Sequence, residues 1–360
     1  MPRLPEDSGR LVLQAVQTAT LNGGVAAKAL ASGRGGLVDI SSAADIYIGG
    51  GTAASAPAGS LFLQVDQLNA MGAESLLIGG LRTSTAAGAS VAVNTGSLTL
   101  DNAGRALTGT DIILTARNSL TLAAGASIVS QGQATGETDR LIFGSTATAG
   151  SGNGLMVRMS ADSLAGSTRL GVTAGGEARL TIGAGVRLEG QSLTLDSTAG
   201  TVLDPGAALL SDSINLYSGR ISLVKDHTGT EPDGNGLVLS GLALGTLEQR
   251  ARNLNLSSYT TLDLYGTGTV GIEGTLRLSA GQIRGFGQNG GDFQFTAPSM
   301  VLDNTGGAPV SGTGTATGNL ILTGGTITLG AGNLRIDQFE NVQLNASSGL
   351  TVAGTGSLAT

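Results

Sequence analysis

The sequence contains a single histidine, His227, which follows Asp226 in a polar stretch. A histidine that activates a nucleophile must itself be held by a third group in a preformed pocket. Many serines could approach His227, but no motif selects one of them as a nucleophile. We interpret His227 as a solvated loop residue and predict that the chain has no catalytic residue.

Metal-binding patterns are also incomplete. Asp226, Glu231 and Asp233 offer carboxylate oxygens of the kind that Ca²⁺ prefers, but their spacing differs from that of an EF-hand loop. The stretch Gly290-Gly291-Asp292 begins like a calcium-binding nonapeptide and then departs from it. The absence of Cys excludes disulfides and thiolate metal sites. We predict no metal-binding residue.

Phosphate and nucleic-acid binding lack the residues they require. The glycine-rich stretch 312–318 is followed by the strand-like sequence 319–322, where a dinucleotide-binding loop requires a helix. Lys28 and Lys225 are the only lysines, the arginines are scattered, and the net charge is −7. Nucleic-acid binding depends on clustered basic side chains. We therefore predict no cofactor and no nucleic-acid partner.

The remaining acids stand mostly alone, at Asp101, Asp196, Asp263 and Asp303 among other positions. Glycoside hydrolysis usually requires two carboxylates that face one cleft, whereas single acids after a strand are ordinary turn residues. We predict that the chain is not an enzyme. A carbohydrate-binding or carbohydrate-cleaving protein remains an alternative. Acids that converge with arginines or aromatics on one face would favour it, and uniform Thr/Ser faces would count against it.

The elements that position these residues follow a repeating pattern. Of 360 residues 60 are Gly, 40% are hydrophobic and 12% are charged, which indicates a buried core and excludes both disorder and collagen. A polar–Leu–polar–Leu unit recurs, with the alternation typical of a half-buried strand. Four copies are residues 97–100, 119–122, 192–195 and 261–264.

The spacing of these units predicts the fold class. Apolar pairs recur every seven or eight residues, so three steps make about 22–24 residues, which is a solenoid period. The longer period separates Leu98 from Leu120, Leu254 from Leu276, and Leu320 from Val342. We predict an all-β parallel β-helix (β-solenoid) with about three short strands per coil. At ~4.8 Å per coil, about fifteen coils would form a rod roughly 70 Å long.

The predicted domain organisation is one continuous β-helix segment over residues 1–360, less regular over 1–96. Two stretches interrupt the rhythm, and we expect loop insertions near 130–154 and 225–236. Insertions in solenoids map to loops on one face, which is often a binding face. We expect any binding by this segment to be confined to these two loops.

Several repeats are similar to one family of proteins. The sequences at 111–116, 118–122, 190–196, 274–281 and 297–304 resemble the central repeats of the filamentous haemagglutinin-like family of large two-partner-secretion exoproteins. The resemblance lies in the style of the repeats and extends over essentially the whole chain.

This resemblance implies a right-handed β-helix in the structural shaft of a secreted bacterial surface adhesin that supports cell adhesion or biofilm formation. It also implies export through an outer-membrane two-partner-secretion transporter and, as partners, receptors or glycans on host or neighbouring cells. The Asn-Pro motif of the family's secretion domain is absent, and residues 1–7 have no signal-peptide character. We therefore expect an internal shaft piece that self-associates through its exposed ends and does not insert into a membrane. An autotransporter passenger is a further alternative.

Overall fold

A computed structural model describes residues 8–15, 27, 33–52, 56–133, 140–174, 176–310 and 314–360. The chain is nearly all β, with 56% of residues in strands and 5% in helices, and most of its strands lie in long parallel sheets. The chain divides into two compact units. Unit 1 comprises Met1–Thr173, Ala178–Leu195 and Gly206–Ser211; unit 2 comprises Ala174–Glu177, Asp196–Pro205 and Asp212–Thr360.

The elements of the first half of the chain are short. They are β1 (Arg10–Gln14), β2 (Leu37–Ser41), β3 (Ile46–Gly49), β4 (Leu61–Gln64), α1 (Val65–Ala70), β5 (Ser75–Ile78), β6 (Gly80–Thr85), β7 (Gly88–Val93), β8 (Ser97–Asp101), β9 (Leu107–Gly109), β10 (Asp111–Ala116), β11 (Ser119–Leu122), β12 (Ser127–Ser130), β13 (Leu141–Gly144), β14 (Leu155–Ser160), β15 (Ser167–Leu170) and β16 (Arg179–Ile182).

The second half contains several strands of eleven or twelve residues. Its elements are β17 (Arg187–Ser197), β18 (Gly200–Leu203), β19 (Ala208–Ser218), β20 (Ile221–Lys225), β21 (Leu237–Ser240), α2 (Gly241–Arg250), β22 (Asn253–Ser258), β23 (Thr261–Gly266), β24 (Gly268–Gly271), β25 (Thr275–Ser279), β26 (Gln282–Phe286), β27 (Asp292–Asp303), β28 (Asn319–Leu329), β29 (Gly332–Asp337), β30 (Asn341–Val352) and β31 (Gly356–Ala359).

Parallel pairing dominates both units. In unit 1, β1, β2, β5 and β10 pair in that order, and a second sheet has the order β4, β3, β8, β11, β16. In unit 2, β22, β25, β27, β28 and β30 form one parallel series. A second series has the order β21, β20, β23, β26, β29, β31.

The predicted repeat period is confirmed by the strand register. Leu98 pairs with Leu120, Leu254 with Leu276, and Leu320 with Val342. The inward side chains of successive strands therefore stack in columns. One column in unit 1 is Ile46, Leu98, Leu120 and Leu180, all of them buried. Burial of such apolar columns is the main stabilising term of the fold.

Unit 1 departs from purely parallel pairing. β14 pairs antiparallel with β10, and the antiparallel hairpin β6–β7 joins the parallel strands β13 and β15 in a four-stranded sheet. This sheet covers the outer face of the first sheet and encloses a second core, formed by Leu77, Ala89, Val91, Ile113, Leu141, Phe143 and Met156. The stretch 130–154, expected to be a loop insertion, therefore contains a strand, β13, while residues 134–139 lie outside the described residues.

The same strand–strand–helix order occurs once in each unit. β3 pairs in parallel with β4, which leads directly into α1, and β20 pairs in parallel with β21, which leads directly into α2. Neighbouring parallel strands require a connection that returns along their length. Residues 226–236 form that connection in unit 2, within the other expected insertion at 225–236. The organisation of residues 1–360 as one continuous β-helix stays a prediction.

Candidate ligand-binding face

The residues considered for catalysis and metal binding lie on the connection 226–236. The His227 Nε2 atom is 3.1 Å from the Thr230 carbonyl oxygen, and its ring meets Tyr265 edge-on at 5.4 Å between centroids. Asp226 and Glu231 are exposed. Asp233 accepts a hydrogen bond from Arg220. Among the residues that the structure describes, no three His, Asp or Glu side chains are grouped so as to hold a metal ion.

The acids predicted to stand alone have separate partners. Asp101 accepts a hydrogen bond from the Tyr47 hydroxyl at 2.5 Å, and Asp196 accepts one from Tyr259 at 3.0 Å. Asp303 accepts hydrogen bonds from Arg277 at 2.7 and 3.3 Å. Asp263 differs from them, because the fold brings it into a cluster of charged and aromatic side chains. Of the glycine-rich stretch 312–318, residues 312 and 313 lie outside the described residues.

Strand register builds this cluster on the outer face of the sheet in unit 2. Asp263 on β23 pairs with Arg284 on β26, which in turn pairs with Asp337 on β29. Two positions further along β23, Tyr265 pairs with Phe286. We call the resulting surface the Arg–aromatic face; it comprises Arg220, His227, Asp263, Tyr265, Arg284, Phe286, Arg335 and Asp337.

A buried carboxylate anchors the arginines of this face. The Asp263 side chain is 0% exposed and accepts hydrogen bonds from Arg284 Nε at 2.8 Å and Arg284 Nη2 at 2.7 Å. Arg220 Nε lies 3.9 Å from the same carboxylate. Bidentate arginine–carboxylate pairs fix the plane of the guanidinium group. Asp263 is therefore suited to positioning Arg284 rather than to proton transfer with a ligand.

The aromatic rings form a stack beside this ion pair. The rings of Tyr265 and Phe286 lie 4.7 Å apart between centroids at an interplanar angle of 12°. The Arg284 guanidinium carbon is 5.2 Å from the Phe286 ring centroid, within the range of a cation–π contact. Burial raises the pKa of Tyr265, as does the Asp263 charge, while Arg220 and Arg284 act in the opposite direction. The phenol therefore stays neutral and can donate a hydrogen bond.

The Arg–aromatic face combines flat apolar surface with fixed polar groups. Tyr265, Arg284 and Phe286 are each half-buried, so part of each side chain meets solvent. Rigid aromatics with adjacent guanidinium and hydroxyl donors are common in recognition surfaces. Since the Asp263 and Asp337 carboxylates are both engaged by arginines, the geometry suits ligand binding better than acid–base cleavage.

A buried charged network in unit 1 was not expected from the sequence. Asp39 binds Arg82 Nε at 2.7 Å, Arg82 donates to Ser75 Oγ at 2.7 Å, and Ser75 donates to Asp111 at 2.7 Å. Asp111 in turn binds Arg158 at 2.8 and 3.1 Å. Charged residues inside apolar strands, as in Leu-Val-Asp-Ile at 37–40, are the signal that could have indicated it. Its position beneath the four-stranded sheet indicates a structural role.

No helix among the described residues is long and apolar enough to cross a membrane. Comparisons of the chain with protein-family models, with curated proteins and with solved structures find no match.

Proposed function

We propose that this chain is a shaft segment of a secreted bacterial surface adhesin, folded as a right-handed parallel β-helix with about three strands per coil. The observation that carries the proposal is the register series Leu254, Leu276, Met300, Ile327 and Leu350 in unit 2. Successive members are about 22 to 27 residues apart, which is the interval of one solenoid coil.

The mechanism of a shaft is mechanical. Each added coil buries its apolar columns against its neighbour, so the structure can lengthen without a new kind of core. In such a protein the segment holds an adhesive region away from the cell and supports adhesion or biofilm formation. Export through an outer-membrane two-partner-secretion transporter accords with the resemblance of the repeats to filamentous haemagglutinin-like proteins.

Cell fractionation and surface immunolabelling of the native organism test this proposal. We expect the protein at the cell surface or in the medium, and we expect in-frame deletion of whole coils to shorten the surface fibre without releasing it. Recovery of the protein from the cytosol would overturn the proposal.

The neighbouring genes distinguish the two export routes. A separate transporter gene accords with two-partner secretion, whereas a fused C-terminal barrel accords with an autotransporter.

Saccharide binding at the Arg–aromatic face is a second candidate function. It is favoured because acids, arginines and aromatics converge on one face of unit 2. We expect at least one member of an array of defined surface oligosaccharides to bind the wild-type protein but not Phe286→Leu, which keeps apolar volume and removes the aromatic ring. Val301→Ala, at a half-buried valine on β27 in the other parallel series of unit 2, is the control and should bind normally. Equal binding by Phe286→Leu and the wild-type protein would exclude this site.

A further inference from the structure

A second aromatic pair lies at the surface of unit 1. Tyr47 on β3 and Phe62 on β4 are register partners on the outer face of their sheet, while Ile46, Ile48 and Leu61 are buried behind them. The ring centroids of Tyr47 and Phe62 are 6.4 Å apart, and the ring planes differ by 26°. Both side chains are half-buried and so present surface to solvent.

Gly49 creates the space into which both rings lean. A Cβ atom at Gly49 would lie 3.0 Å from Phe62 Cε2 and 3.1 Å from Tyr47 Cε1, so the rings occupy the volume that a side chain would fill. The register partners of Gly49 are Gln64 and Asp101, and Asp101 accepts the hydrogen bond from the Tyr47 hydroxyl. The aromatic pair is thereby held low over the sheet, with polar groups along one side.

Arg105 adds a further polar group beside the aromatic pair. We call the charged residues next to the two rings the border of the pair. Its Cδ atom would be 3.2 Å from a Cβ at Gly50, so the side chain runs across the backbone directly after β3. Its guanidinium group pairs with Asp66 at the start of α1. Asp66, Asp101 and Arg105 give the border both signs of charge, with no excess of positive charge to attract an anionic polymer.

A column of threonines continues from Tyr47 across the sheet. Tyr47 pairs with Thr99, Thr99 with Thr121, and Thr121 with Thr181. All three threonines are half-buried on the outer face. Adjacent strands lie ~4.8 Å apart, so the column presents hydroxyl groups at a regular interval beside the aromatic rings.

We propose that Tyr47, Phe62 and this threonine column bind an extended, uncharged polysaccharide that lies across the strands. The C–H faces of pyranose rings are apolar and match aromatic surfaces, while their hydroxyls pair with hydroxyl, carboxylate and guanidinium groups. Uncharged ligands fit the mixed charge of the border. This site shares its ligand class with the second candidate function above but none of its residues, so each can fail alone.

Affinity electrophoresis in gels that contain dextran, galactomannan, mixed-linkage β-glucan or xylan tests the proposal. We expect at least one polymer to retard the wild-type chain, and Phe62→Leu and Tyr47→Ala each to weaken that binding about tenfold. Tyr47→Phe keeps the ring and should bind nearly as well as the wild type. Thr121→Val removes one hydroxyl at nearly constant volume, and we expect it to weaken binding a few-fold.

Phe286→Leu separates this site from the one in unit 2. Retardation that is lost in Phe62→Leu but kept in Phe286→Leu supports the proposal. Retardation lost only in Phe286→Leu, or no retardation by any of the four polymers, overturns it. If Tyr47→Ala does not fold, the test rests on Phe62→Leu and Thr121→Val. Binding as strong as that of the wild type in both of these variants would overturn the proposal.

Discussion

The phenol of Tyr47 donates a hydrogen bond to the carboxylate of Asp101. The hydrogen bond to Asp101, followed by burial and by the Asp101 charge, raises its pKa from 10.0 to about 12. All three effects favour the neutral phenol over the phenolate in the folded chain.

The pH dependence that follows has a definite sign. Because the folded-state pKa of Tyr47 is above the unfolded value, its contribution to stability is complete below about pH 10 and is lost as pH rises through about 12. We expect an ultraviolet titration to show a phenolate transition near pH 12 that is missing in Tyr47→Phe. Asp101→Asn should move this transition towards pH 10, and an unchanged midpoint in that variant would contradict the assignment.

Individual side chains were predictable from the sequence where alternation alone decides their direction. The burial of Leu98, Leu120, Leu254 and Leu276 was predictable because apolar and polar residues alternate around them and because they recur at the repeat interval. The pairing of Asp263 with Arg284 depends on strand register, which becomes evident only when Leu262 is aligned with Ile283. His227, interpreted as a solvated loop residue, is half-buried because its loop folds back on Tyr265. Local sequence carries no sign of that contact.

Two glycines in turns both have positive φ but differ in how closely neighbouring atoms approach them. Gly79, between β5 and β6, has φ +102°, and a Cβ there would lie 1.9 Å from the Thr115 carbonyl oxygen. Gly104, before β9, has φ +78° and no neighbour within 4 Å. We expect Gly104→Ala to lower the free energy of unfolding by about 1–2 kcal/mol through backbone strain alone. Gly79→Ala should cost about 1–3 kcal/mol more, since backbone must shift. Equal urea midpoints for the two variants would contradict this.

The buried ion pair beneath the four-stranded sheet links two strands and should contribute to stability. Asp111 on β10 binds Arg158 on β14, and their side chains are 4% and 2% exposed. We expect Asp111→Ala to cost about 3–5 kcal/mol in urea unfolding, because it leaves a buried guanidinium without its counter-charge.

Two companion variants control for the loss of charge. Replacement of both partners, Asp111→Leu with Arg158→Met, should be far milder than Asp111→Ala. Glu189→Gln breaks the exposed pair with Arg187 and should change stability by less than about 1 kcal/mol. A loss as large in Glu189→Gln as in Asp111→Ala would show that burial does not determine the effect.

Elements differ in how much the sequence indicates about them. Strands with the polar–Leu–polar–Leu pattern form where predicted, as in β8, β11 and β23. The helix α1 was missed because six residues are too few to show a 3.6-residue stripe. β13 was missed because its apolar residues, Leu141 and Phe143, pack on Ile113 and Met156. Because these residues come from strands that are distant in the sequence, the core they form does not show as a periodic pattern in the sequence.

At the scale of the molecule, β30 is the last strand of its sheet among the residues that the structure describes. β30 pairs with β28, and two of its core-side residues, Leu350 and Val352, are 53% and 74% exposed. Unpaired strand edges with apolar side chains are templates for association. We expect the 360-residue chain to self-associate, with a sedimentation coefficient that rises with concentration.

Charged substitutions test the origin of that association. Leu350→Lys with Val352→Lys should shift the chain towards monomer. Leu242→Lys is the control, because Leu242 is 67% exposed on α2, away from a strand edge, and should leave association unchanged. A wild-type chain that remains monomeric at high concentration would contradict the prediction.

The register of unit 2 has a consequence for the order of folding. In the series β22, β25, β27, β28 and β30, each strand pairs with the one before it, so the chain length to be closed stays about 22 to 27 residues at every step of that series. Closure entropy grows only with the logarithm of loop length, and it is therefore small and nearly constant here. A chain released gradually from its N-terminus could add the strands of this series one at a time, in sequence order. Each added strand would then oppose backward movement of the chain, because return would require it to separate from its partner strand.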